Sequence, residues 1–181
     1  MKQAVMTSPG VIEFRNVPVP KPGPEEVLIR VRRIGVCGSD IHVRHGRHPF
    51  TSYPVVQGHE FSGVIEVVGK RVKGLRPGRK VTATPQIVCG RCAPCRRGDY
   101  HICDVFRVQG FQAPGCAQEL FLVLADQIVP LPASFSFEQG ALVTVPLETT
   151  HFPFDAYRAA YDYADREGER SMKIFVDLET N

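Results

Sequence analysis

No stretch of this sequence approaches the roughly 18 consecutive apolar residues that a membrane-crossing helix needs. Its first ten residues, Met1 to Gly10, lack the basic start and apolar run of a secretory leader. Charge of one sign is scarce as well. The formal net charge is +3, and basic pairs such as Arg32-Arg33 and Arg96-Arg97 stand apart instead of forming a run. Both facts count against nucleic acid or a membrane surface as the partner. There is no internal repeat and no low-complexity segment. The expectation is a cytoplasmic globular chain. With 181 residues, 43% of them hydrophobic, it has material for a core without covalent staples. In a reducing compartment its six cysteines point to metal ligands or free thiols before a disulfide framework.

What is present reads mostly as β structure. Lys2 to Thr7 and Val11 to Val17 are short strands around Ser8-Pro9-Gly10. Pro18 to Pro24, with four prolines and a glycine, is a loop. Glu26 to Ile34 alternates, with Val27, Ile29 and Val31 on one face. Ser62 to Val68, Arg79 to Ala83, Gln118 to Leu124 and Gln127 to Pro130 are further strands, and short strands between turns suggest a barrel or sandwich. The end of the chain differs. Phe154, Tyr157, Ala160, Tyr161 and Ala164 fall on one face of a helix over Pro153 to Glu167, with Pro153 in its first turn and Gly168 at its exit. Met172 to Leu178 reads as a last strand.

Four thiols, Cys89, Cys92, Cys95 and Cys103, lie within fifteen residues. Zinc takes four soft ligands tetrahedrally, and such short spacings wrap one ion at little cost in loop entropy. Four sulfurs leave no open position, so this ion would be structural. Gly90, Pro94 and Gly98 permit the turns. An iron–sulfur cluster also uses four cysteines.

Two other segments carry donors: Gly35-Val-Cys37-Gly-Ser39-Asp40-Ile-His42 and Gly58-His59-Glu60-Phe-Ser-Gly63. A catalytic zinc takes about three protein ligands and keeps one exchangeable position. Cys37 and His59 offer a thiolate and an imidazole, and Glu60 a carboxylate. Asp40 suits the role of accepting the other ring hydrogen of His59. Ser39 and His42 suit proton transfer outward from a bound alcohol. On chemistry alone, a buried cysteine and a satisfied histidine are the simpler reading.

The order of these pieces changes that balance. GVCGSDIH at Gly35 to His42, GHEFSGVIEVVG at Gly58 to Gly69 and the four-cysteine segment resemble, in sequence order, the zinc-dependent medium-chain dehydrogenase/reductase family of alcohol, sorbitol, threonine and galactonate dehydrogenases. The turn at Leu75 to Val81 and the stretches Pro114 to Leu120 and Phe137 to Leu142 fit the same family. The resemblance implies a mainly β, α+β fold: a GroES-like, partly open β-barrel with a cysteine lobe and a C-terminal helix and strand. It implies two zinc ions, one structural and one catalytic surrounded by Cys37, His59 and Glu60, with Glu60 either on the ion or just behind its ligands. It favours zinc over iron–sulfur at the four cysteines. Ser39 and His42 match positions associated with proton relay from the alcohol.

The family's nicotinamide-binding half leaves no trace here. No G-x-G-x-x-G occurs, so no NAD(P) site is expected in this chain. Thr150 to Leu178 is similar to the segment that follows the cofactor domain in full-length members, yet it comes a few residues after Phe137 to Leu142, which normally precedes that domain. The expected organisation is a catalytic domain at 1–143, a junction at 144–149 replacing the cofactor domain, and a segment at 150–181 completing the same domain. Many relatives carry Ala-Leu-x-Glu-Pro before the cofactor domain; Ala141-Leu142-Val143-Thr144-Val145 places Thr144 at the glutamate position, so a fourth ligand from there is in doubt, with Glu148 or water as substitutes.

Cys116 reads as a core residue, and His45, His48, His101 and His151 as surface or packing residues. Phe50 and Tyr53 sit where family members line the substrate pocket, with core packing equally open. The function expected is a zinc-binding catalytic domain of a polyol, alcohol or sugar-acid dehydrogenase, inactive alone in hydride transfer, with a small alcohol or polyol as ligand at the zinc. The alternative is a non-enzymatic, zinc-stabilised scaffold or an engineered minimal domain. Apolar surface left by loss of the cofactor domain would favour a homo-oligomer.

Overall fold

The computed structural model describes residues 1–142, 149–167 and 173–178. Residues 143–148 of the expected junction, with Thr144 and Glu148, lie outside the described residues, as do Gly168 and Met172. In chain order the strands are β1 (Lys2–Ser8), β2 (Val11–Asn16), β3 (Glu26–Val36), β4 (Glu60–Val68), β5 (Lys80–Ala83), β6 (Gln86–Ile87), β7 (Arg107–Val108), β8 (Leu120–Leu124), β9 (Ile128–Pro130), β10 (Thr149–Pro153) and β11 (Lys173–Asp177). The helices are α1 (Gly38–Arg44), α2 (Ala93–Arg97), α3 (Phe137–Ala141) and α4 (Tyr157–Glu167).

β3 organises the molecule. Its apolar run buries Val27, Leu28, Ile29, Val31 and Ile34 almost completely. β4 lies antiparallel along one edge. The other edge is shared: residues Glu26 to Arg30 pair with β8, and residues Arg33 to Val36 pair with β11. A seven-stranded sheet results, in the order β10-β11-β3-β4-β5-β9 with β8 beside β3. Among the described residues this pairing path is open, ending on β9 and β10. The β1-β2 hairpin turns at Gly10, whose φ of 76° suits glycine, and is tied to the rest by single bridges from Gln3 to Gln118 and from Met6 to Val55.

The C-terminal segment forms a βαβ unit: β10 and β11 run parallel, and α4 connects them. Tyr157, Ala160 and Tyr161 are buried on one face of α4, as the spacing predicts. Pro153 is a correction. It ends β10 opposite Asp177, and a 3-10 turn over Phe154–Ala156 intervenes before the helix. At a strand end the missing N–H of proline costs no ladder bond. Helices α1, α2 and α3 are only five to seven residues long, too short to show a helical period, and were not read from the sequence.

Candidate metal centres

The four-cysteine segment folds as a lobe between β6 and β7, which among the described residues pair only with each other. Cys92 caps α2, Pro94 sits in the first turn of that helix, and Gly98 ends it in the left-handed region with φ 87°. Gly90 adopts φ 67°. These are the turns expected of the lobe. They bring the sulfurs of Cys89, Cys92, Cys95 and Cys103 within 4.8 Å of one another. The Cys92 N–H approaches Cys89 Sγ, and the Cys89 N–H approaches Cys103 Sγ, both at 3.4 Å. Backbone N–H groups of Arg91 and then Cys92 draw the Cys89 thiol down to about 6. Burial, then the neighbouring thiols, push Cys95 up to about 12. Four soft donors at this separation, backed by N–H dipoles, fit a thiophilic divalent ion.

The second centre follows from strand pairing. Gly35 of β3 stands opposite Glu60 of β4. Cys37, just past the end of β3, and His59, just before β4, therefore meet across the ladder. One ligand atom each from Cys37, His59 and Glu60 lies within 4.8 Å of the others. Cys37 also caps α1, and Asp40 in the first turn of that helix is 1% exposed. Asp40 Oδ2 accepts the Cys37 N–H at 3.0 Å, and Asp40 Oδ1 faces His59 Nδ1 at 3.7 Å. With Nδ1 turned to Asp40, Nε2 is the nitrogen His59 offers to an ion.

The electrostatics suit a cation. A hydrogen bond from His59, helped by one from Ser39, lowers the Cys37 thiol against the effect of burial. Burial lowers His59, but the Cys37 hydrogen bond and the charges of Asp40, Cys37 and Glu60 outweigh it and hold the ring above its ordinary value. Burial raises the Asp40 carboxyl, against the pull of His59 and the Cys37 N–H. His59 Nδ1 is buried and makes no hydrogen bond. A thiol, an imidazole and a carboxylate within 4.8 Å of one another are a donor set that fits zinc.

The backbone behind His59 is fixed by close approach. Gly58 has φ 87°. A Cβ on Gly115 would stand 2.2 Å from the Gly58 carbonyl oxygen and 2.4 Å from that of Gln57. The N–H groups of Cys116 and Ala117 donate to those two oxygens at 2.9 and 3.0 Å. The Phe111 ring centroid lies 4.9 Å from that of His59, and His48 stacks on the Phe111 ring with centroids 4.4 Å apart.

Residues 23–133 match the alcohol dehydrogenase GroES-like domain, more than half of the chain. The chain belongs to that family. It is 38% identical over 154 residues to the sorbitol dehydrogenase of Halalkalibacterium halodurans, covering 83% of this chain and 44% of that protein. It is 38% identical over 135 residues to the L-threonine 3-dehydrogenase of Legionella pneumophila, covering 73% and 40%. The crystal structure of galactitol-1-phosphate dehydrogenase from Escherichia coli superposes with a TM-score of 0.74 at 31% identity, covering 79% of this chain and 41% of that one. The chain thus spans less than half the length of the relatives it matches.

Within this GroES-like domain, the other expected residues fall as follows. Ser39 Oγ donates to Cys37 Sγ at 3.2 Å. His42 lies on the exposed side of α1. Cys116 is fully buried under Gly58, as a core thiol. Phe50 is 70% exposed, whereas Tyr53 is half-buried and donates its hydroxyl to the Val43 carbonyl. Of the histidines read as surface or packing residues, His45 and His151 are exposed and His48 packs on Phe111; His45 meets Asp165 at 3.0 Å, His48 meets Thr51 at 2.8 Å, and His151 meets Asp177 at 3.2 Å. The sequence reading missed Gln57, Phe111 and Gly115. Gln57 adjoins the histidine motif, a usable signal; the other two carry none in sequence. No described helix is long and apolar enough to cross a membrane.

Proposed function

We propose that this chain is the alcohol-binding half of a zinc-dependent, polyol-type dehydrogenase, with no hydride transfer of its own. The observation that carries the reading is the convergence of Cys37, His59 and Glu60 within 4.8 Å, backed by Asp40. Cys37, His59 and Glu60 would hold the ion, leaving one position for a ligand. Zinc there supplies Lewis acidity, which lowers the pKa of an alcohol. Asp40 keeps the His59 ring turned toward the ion. Ser39, whose hydroxyl points at Cys37, would turn to take up the alcohol proton as it releases its own toward His42, exposed on the next turn, and so to solvent. The four-cysteine lobe holds a second zinc that only fixes structure. The substrate class is small alcohols with neighbouring polar groups, as in the names of the sorbitol, threonine and galactitol-1-phosphate dehydrogenases it resembles.

Hydride transfer needs a nicotinamide held against the alcohol carbon. Orientation of that kind is worth about 7–11 kcal/mol of barrier. The dinucleotide fingerprint does not occur in the 181 residues. The test is oxidation of sorbitol, threonine and galactitol-1-phosphate by zinc-loaded protein with NAD and NADP, beside the spectrum of cobalt-loaded protein titrated with the same alcohols. No turnover with an alcohol-dependent spectral change is the expected result. Robust turnover with tight NAD binding would refute the reading. A zinc-stabilised scaffold without chemistry is the second reading, favoured by the closed four-thiol site; no spectral response to any alcohol would support it.

A further inference from the structure

A chain of buried polar groups runs from the C-terminal helix to the Cys37 centre. Tyr161 of α4 and Gln57 are 0% and 2% exposed. The Tyr161 hydroxyl donates to Gln57 Oε1 at 3.3 Å. Gln57 Nε2 donates to the Asp40 backbone oxygen at 3.2 Å and approaches Asp40 Oδ1 at 3.4 Å. That carboxylate is the group that accepts from Cys37 and faces His59. Burial holds the Tyr161 phenol well above its ordinary range, so it remains a hydrogen donor.

A second set of contacts joins the same two helices. Arg44 Nε of α1 meets Asp165 Oδ2 of α4 at 3.0 Å, His45 Nε2 meets Asp165 Oδ1 at 3.0 Å, and the Arg44 guanidinium lies 5.6 Å from the Tyr161 ring centroid. Helix α1 begins at the Cys37 cap. A buried amide has two donors and an acceptor to satisfy, and a buried carboxylate without fixed donors swings or protonates. Gln57 meets both demands at once, because Tyr161 fixes which way its amide points.

We propose that Tyr161 and Gln57 are positioning residues for the metal at Cys37, His59 and Glu60: the tyrosine hydroxyl fixes the glutamine amide, which fixes the carboxylate that orients two ligands. This rests on reading those three residues as a metal site. It makes the second metal depend on a helix that follows the junction, whereas the four-cysteine lobe stands apart from it.

The test is a cobalt(II) titration of the full chain, freed of metal, comparing the unaltered protein with Tyr161→Phe and Tyr157→Phe. The cobalt spectrum distinguishes four-thiolate from single-thiolate coordination and reports ligand geometry. Tyr161→Phe is expected to fill the four-cysteine site normally, to weaken the second site roughly tenfold or more, and to alter the second-site spectrum. Tyr157→Phe, whose hydroxyl lies 3.5 Å beyond that of Tyr161, is expected to change neither site. Gln57→Met, equal in length and without the amide, gives the same reading should Tyr161→Phe fail to fold. An unchanged second site, equal weakening at both sites, or an equal loss from Tyr157→Phe would overturn the proposal. Uptake of a single cobalt by the unaltered protein would instead overturn the metal-site reading, and this proposal with it.

Discussion

Asp40 Oδ2 accepts the backbone N–H of Cys37 at 3.0 Å. The same residue turns its other oxygen to His59 Nδ1. One buried carboxylate thus binds the peptide that carries the thiol and faces the ring that carries the imidazole.

Asp40→Asn tests that arrangement at constant shape. The amide keeps one oxygen and puts an NH2 donor in place of the other, so only one of the Cys37 N–H and His59 Nδ1 can face an oxygen. Affinity for the second zinc is expected to fall about 10- to 100-fold, with the four-cysteine zinc retained. Competition with a chelator of known affinity measures both.

The cysteine lobe should fail locally. Among the described residues its strands β6 and β7 pair only with each other. Cys103→Ser is expected to release one zinc per chain and to speed amide exchange across residues 86–108, while β3 and β4 keep their protection. Exchange that accelerates equally throughout the sheet would show that the lobe supports the whole domain.

Much of this was readable from residues alone, for reasons that differ by element. The four cysteines are adjacent in sequence, so their convergence needs only two left-handed glycines, Gly90 and Gly98. Cys37 and His59 are distant in sequence, and only the β3–β4 register brings them together; the motif order supplied what spacing cannot. Strands with alternating or continuous apolar runs, such as β3, showed themselves through period. The βαβ character of the C-terminal unit did not, because the parallel pairing of β10 with β11 is a long-range choice that no local pattern encodes. Gln57 and Tyr161 were invisible as a pair for the same reason. A glutamine before a glycine and a tyrosine on an apolar helix face each look ordinary, and their hydrogen bond exists only once α4 has docked.

Gly115 is a position where no side chain fits. Its added Cβ would meet two backbone oxygens at 2.2 and 2.4 Å, and backbone cannot swing aside. Gly115→Ala is expected to cost about 1–3 kcal/mol of stability and to displace the Gln57-Gly58-His59 segment. Denaturant unfolding together with second-site zinc affinity reads both effects.

Arg33 joins α3 to β11. Its Nε lies 2.8 Å from Glu138 of α3 and 2.8 Å from Asp177 of β11. Burial pushes the Glu138 carboxyl up, but the residue's own backbone N–H, Ser136 and Arg33 outweigh it, so the folded value lies below the ordinary one. A depressed carboxylate contributes stability that is present above the unfolded pKa and is lost as pH falls through the folded one. Glu138→Gln is therefore expected to lower stability at neutral pH and to flatten its dependence on pH in the acid limb. A variant with an unchanged acid limb would show that the pair carries no linkage.

Metal content per chain tests the central claim most directly. Elemental analysis of the purified protein and of Cys37→Ala should give about two zinc ions per chain and about one, respectively, from the stoichiometry of an open site and a closed one. One zinc in the unaltered protein, or two retained by Cys37→Ala, would contradict the account.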